Sequence, residues 1–232
     1  GTTEKGSFGI WGDSRTILSL SNATVNATGG TAEYDSFGIQ VGDFTMSGGT
    51  VAATGDSGRN SYGIYSWQTG IINGGVVNAT GGTAEYDSFG IRVGPFTMSN
   101  GTVTATGDAA TNSSIGIYSS WTTTITGGEV NATGGNGLDS HGIYSYSATT
   151  ITGGEVNATG GNSSNASYGI FSNSSNIEIT GGEVNATGGN GLASAGINVS
   201  SCAISNGTVN ATGGNATNSS IGIQAKHLTV TS

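Results

Sequence analysis

A single cysteine, Cys202, and a single proline, Pro95, occur in 232 residues. One thiol excludes an internal disulfide framework, and one proline leaves few forced breaks in regular structure. Basic residues are scarce too: Lys5, Arg15, Arg59, Arg92 and Lys226 face 14 acids, for a net charge of −9. Five scattered cations cannot form the positive footprint of a nucleic-acid binder, which excludes that class. No apolar run reaches the length of a membrane span, and no window carries apolar residues at helical spacing. There is no signal-peptide pattern, and the chain opens on glycine, which reads as a mature or excised segment.

What the chain does have is a period. Gly-Gly-Glu-Val-Asn-Ala-Thr-Gly-Gly begins at Gly127, Gly153 and Gly181, with looser copies throughout. A second phrase, Ser-x-Gly-Ile, alternates with it at Ile10, Ile39, Ile64, Ile91, Ile117, Ile143, Ile170, Ile197 and Ile223, in steps of 25 to 29 residues. So constant a step means one unit stacked on copies of itself, here numbered coils 1 to 9 by these isoleucines. Each unit holds three short apolar segments with period-two alternation, separated by Gly, Asn, Ser and Thr, which read as strands and turns. Leucine is too rare for a leucine-rich repeat. The reading is an all-β, right-handed parallel β-helix of about nine coils, ~26 residues each, three strands per coil. Residues 1–232 form one domain.

The columns assign the core. Valine recurs from Val25 to Val209, alanine follows two residues later, and Leu20, Met46, Ile72 and their equivalents fill a second strand. The residue two before each isoleucine (Phe8, Phe37, Tyr62, Phe89, Ile115, His141, Tyr168, Ala195, Ile221) is expected to stack in the same core. The invariant serine of the phrase is expected to bond turn backbone from coil to coil. Cys202 falls in an apolar slot shared with Phe44, Phe96, Ile177 and Leu228 and reads as a buried small residue. Residues 30–56 and 82–108 agree at 23 of 27 positions, which marks duplication of a two-coil block. The last coil stops at its second segment and Gly1 to Gly6 precede the first, so copies of the chain adding head to tail into a fibre are the expected partners.

Three surface features carry the functional reading. Sequons are dense, and N-glycosylation of an exported protein is expected at the corner and loop sites (Asn112, Asn165, Asn215, Asn218), with Asn173 a further candidate. The strand-face row Asn26, Asn78, Asn131, Asn157, Asn185 and Asn210 supplies further candidates, though stacked Asn and Thr side chains also bond along a ladder. Rings follow the isoleucine column at Trp11, Tyr65, Tyr118, Tyr144 and Phe171, with Trp67, Trp121 and Tyr146 close by. They read as outward-facing, either a β-sheet ladder or a contact surface for polysaccharide or cell-surface glycans. Glu129, Glu155 and Glu183 share one outward slot. Calcium is the one metal they could hold, but no enclosing loop accompanies them, so a solvated row and no cofactor are expected. A threonine column from Thr28 to Thr212 raises ice binding as a further alternative, against which its companion column, mostly asparagine, speaks.

Catalysis fails on its constellations. Ser140-His141-Gly142 matches one piece of the polygalacturonase signature, yet the aspartate cluster and Arg-x-Lys that go with it are missing. No acid–base pair is recognisable, so no enzyme is expected. Ile-Thr-Gly-Gly-x-Val-x-Ala-Thr-Gly-Gly paired with Ser-x-Gly-Ile-Tyr resembles the β-helical repeats of large secreted bacterial and archaeal surface proteins, adhesin-like or of the clostridial carbohydrate-binding type. The resemblance implies a non-catalytic extracellular or cell-surface rod, a structural and adhesive module, with glycan binding as the alternative.

Overall fold

The computed structural model describes residues 6–173 and 175–231, and among the described residues there are strands and turns but no helices. Lys5 and the residues before it, expected to reach across a neighbour, lie outside the described residues. Coil 6 represents the unit: strands Gly137–Ser145, Thr149–Ile151 and Glu155–Thr159. First strands pair only with first strands of adjacent coils, and likewise for the second and third. The result is two nine-stranded sheets and one of eight. Every pairing is parallel and column on column, as in Val130↔Val156↔Val184. The protein is a right-handed parallel β-helix, on the order of 40 Å long at ~4.8 Å per coil.

The interior holds the predicted isoleucine, valine, alanine and second-strand columns. Ile39, Ile64, Ile117, Ile143 and Ile170 meet Val51, Val77, Val130 and Val156, the alanines two residues on, and the Met46 to Ile179 column. Each isoleucine buried this way contributes roughly 1.5–3 kcal/mol, and only because coils above and below cover it. Cys202 lies in this core, and burial pushes its thiol up to about 11, so it behaves as a small apolar residue.

The corners use backbone chemistry that the sequence fixes. Gly49, Gly75, Gly101, Gly128, Gly154, Gly182 and Gly207 turn the chain into the third strand with φ between 81° and 93°, where a side chain is strained. The preceding coil also passes close: a Cβ on Gly101 would sit 2.5 Å from the Gly75 carbonyl oxygen. At the opposite corner the serine hydroxyls bridge coils as expected. Ser140 Oγ donates to the Gly135 carbonyl (2.7 Å) and accepts from the Gly161 N–H (2.7 Å), and Ser36 and Ser167 repeat the arrangement. These serines are fully buried, so each bond stands in for water that the turn backbone has lost.

Candidate functional site

The Ser-x-Gly-Ile phrase breaks the strand alternation at its glycine. In coil 2 the register passes from Phe37 to Ile39 without pairing Gly38. The glycine faces the third strand so closely that a Cβ would lie 2.5 Å from Thr54 N. Gly38 and Ile39 therefore both turn inward, and Phe37 and the residue after Ile39 both turn outward. This corrects the expected place of the Phe37 column. It does not join the isoleucine core but forms a second cluster with Tyr62, Phe89 and Ile115, packed against Phe8, Tyr65, Tyr118 and Tyr144. Nor are the outward residues fully exposed: Tyr65, Tyr118, Tyr144 and Phe171 are half-buried against that cluster.

The bend leaves a groove along the rod. One wall is the column running from Phe8 to Tyr168. Its rings stack on one another: Phe8 on Phe37 at 5.1 Å and 1°, Phe37 on Tyr62 at 4.8 Å and 7°, Tyr62 on Phe89 at 5.4 Å and 9°, His141 on Tyr168 at 5.2 Å and 11°. Rings stacked this closely leave no room for a sugar ring between them. The other wall is Trp11, Gln40, Tyr65, Arg92, Tyr118, Tyr144 and Phe171, in paired register. Arg92 divides the groove into a hollow of about 280 Å³ over coils 1 to 3 and one of about 610 Å³ over coils 4 to 8.

The rim is polar and ordered. Asp35, Asp87 and Asp139 stand on alternate coils, and the amides of Asn60, Asn112 and Asn165 donate to them at 2.9, 2.8 and 2.8 Å. Backbone N–H groups of Ser113 and Ala166 add bonds to Asp87 and Asp139. Amide–acid alternation keeps like charges two coils apart, about 10 Å. His141 is buried within the first wall, its Nδ1 without a partner, and burial lowers its pKa to about 3. It is a neutral ring in an aromatic column.

A second surface lies on the corner beside the groove. Trp121 is 67% exposed and Tyr146 56%, and with Asn173 they line a hollow of about 570 Å³. Trp67, 52% exposed, stands edge-on to Tyr65 at 4.8 Å. The contact row expected from sequence is thus two surfaces: Tyr65, Tyr118, Tyr144 and Phe171 form a groove wall, while Trp67, Trp121 and Tyr146 present open faces on the ridge. Asn173 lies between the two, lining the ridge hollow on the side of the Tyr144 hydroxyl. The sequence reading did not single out Arg92, Asp87, Asp139 or Tyr168 as lining one site. Their common offsets from the isoleucine column were the available signal.

The remaining candidates have local partners. Asn157 Nδ2 donates to Asn131 Oδ1 (3.0 Å) and Glu155 (2.9 Å), and Asn185 and Asn210 continue the ladder. Glu129 and Glu183 accept from Asn131 and Asn185 in the same way. The glutamates stand on an exposed strand face, and among the described residues no group of three metal-ligating side chains occurs. Asn112 and Asn165, expected to be favoured glycan acceptors, commit the amide nitrogen a glycan would take to groove acids. Asn26, Asn78, Asn215 and Asn218 are exposed.

Comparison with curated proteins and with solved structures finds no match. A family model described as a beta helix repeat matches seven successive stretches, 44–64, 71–91, 96–116, 124–143, 150–170, 177–197 and 203–222. Each runs from a second strand through the third to the next Ser-x-Gly-Ile phrase, the bend that makes the groove included. On that coverage the chain belongs to the beta helix repeat family.

Proposed function

We propose that the chain is a non-catalytic extracellular β-solenoid that holds a polysaccharide along coils 5 to 7. The observation that carries this is the pair of open rings, Trp121 and Tyr146, on a ridge running beside an amide- and hydroxyl-lined groove. Sugar rings present axial C–H faces to aromatic faces and hydroxyls to amides and carboxylates, and both are laid out here in parallel lines. Coils advance ~4.8 Å, close to the length of one hexose in an extended β-linked chain, so successive sugars meet equivalent groups. The dense sequons support a place outside the cell. Asp87 and Asp139 are each held by two hydrogen bonds, from a neighbouring asparagine amide and a backbone N–H, so they present fixed acceptors along the groove.

Affinity electrophoresis through gels containing soluble polysaccharides, with pull-down on insoluble ones, tests the reading. Retention on at least one glycan is expected, and Trp121→Ala with Tyr146→Ala should abolish it without shifting the melting temperature. Retention on none, or unchanged retention of the double variant, refutes it. The second reading is a structural and adhesive rod, favoured by the mutual stacking of the groove rings. It would stand if the ridge binds no glycan.

A further inference from the structure

Among the described residues Arg92 is the only cation lining the groove, and its surroundings show what the groove accepts. Its guanidinium carbon lies 5.2 Å from the ring centroids of Phe89 and Tyr118, 5.6 Å from Tyr65 and 5.9 Å from Tyr62. A terminal nitrogen reaches the Tyr62 hydroxyl at 3.4 Å. Among the described residues no carboxylate forms an ion pair with it, so four rings are its principal neighbours.

The same surround recurs two coils earlier around a residue without charge. Gln40 occupies the column position of Arg92, paired with Trp11 on one side and Tyr65 on the other. Phe37 stands where Phe89 stands and Phe8 where Tyr62 stands, stacked as in the later coils. The four ring positions around Arg92 are therefore all aromatic around Gln40. Asp35 takes the place of Asp87, and the adjoining hollow of about 280 Å³ is walled further by Tyr62 and Trp67. Residues 30–56 and 82–108 differ at only four positions, and Gln40/Arg92 is one of them.

We propose that the hollow over coils 1 to 3 binds an alkylammonium group, held by ring quadrupoles and by Asp35 where Arg92 fills the later copy with its own cation. The ammonium could belong to an amino sugar or to a quaternary ammonium compound, and the two probes below separate them. The site is remote from Trp121 and Tyr146 and does not depend on polysaccharide binding there.

Titration of the full chain with tetramethylammonium and, separately, with glucosamine tests the proposal, read by tryptophan fluorescence and calorimetry. Neopentyl alcohol serves as the neutral probe of similar shape. Saturable binding of at least one cation at one site per chain is expected, with a dissociation constant on the order of millimolar. Binding of glucosamine alone identifies an amino sugar as the source, and binding of tetramethylammonium alone a quaternary group. Gln40→Arg should abolish binding while leaving the fold intact, as coil 4 already carries that residue. Arg92→Gln should open a second site. No saturable binding of either cation, equal binding of neopentyl alcohol, undiminished binding by the Gln40→Arg variant, or a single site in the Arg92→Gln variant would each overturn the proposal.

Discussion

The blocks 30–56 and 82–108 are the same two coils written twice, and they differ at Gln40/Arg92, Asp43/Pro95, Gly48/Asn100 and Ala52/Thr104. None of the four is in the hydrophobic core. Gln40 and Arg92 face the groove. Asp43 holds Thr69 of the next coil through its N–H and hydroxyl (3.1 and 2.6 Å), a tie that Pro95 cannot make. Ala52 and Thr104 interrupt the outer asparagine row, so the bonded ladder runs from Asn131 to Asn210. Nothing in the structure explains Gly48 against Asn100. Columns that stack on themselves tolerate little change, whereas outward positions vary one coil at a time and can alter charge without touching the fold.

The largest expected effect lies where the aromatic column departs from both blocks. Phe37 and Phe89 are carbon rings, whereas coil 6 has His141, buried neutral with a pKa of about 3 against an ordinary 6.5. The unfolded chain takes up this proton below about 6.5 and the folded chain only near 3, so its contribution is complete above 6.5 and lost as pH falls toward 3. His141→Phe should remove several kcal/mol of acid sensitivity, seen as the difference between the two urea-denaturation series from pH 7 to pH 3.5. Next comes the bend. Gly38→Ala and Gly90→Ala each drive a Cβ to 2.5 Å from a backbone nitrogen, and should cost about 3 kcal/mol apiece in chemical denaturation. Unequal costs would show that the two blocks do not share a backbone.

Smaller effects sharpen the same comparison. Ser36→Ala and Ser88→Ala remove the buried hydroxyls to which the Asp56 and Asp108 N–H groups donate at 2.8 Å, and should cost about 1 kcal/mol each. The second strand offers a gain. Phe44 and Phe96 fill a core column that Thr123 and Thr149 continue with hydroxyls lacking partners. Thr123→Val or Thr149→Val should raise stability by about 1 kcal/mol, measured as a higher melting temperature.

Most of the fold was legible because repetition turns a weak local signal into a column. One Val-x-Ala-Thr is ambiguous, but eight in register name a strand and its buried face. The serine bridges were legible for the same reason. The groove was not, because period two places Phe37 and Ile39 on one face unless the chain bends between them. The glycine held between those positions in every coil was the physical cue, as were the rings three residues apart at Tyr62 and Tyr65. The ridge was half legible: Trp121 and Tyr146 were seen as aromatic, but their free faces depend on what Tyr118 and Tyr144 cover.

The duplicated block also bears on inheritance. Its copies are offset by 52 residues, two whole turns, so an inserted copy returns the chain to the angular position it left. Recombination that adds or removes such a segment joins one coil to another with every column in phase, and no new junction has to be invented. Each such event lengthens the groove by about 10 Å and supplies a spare copy of Gln40 or Arg92 on which selection can act while the original keeps its role.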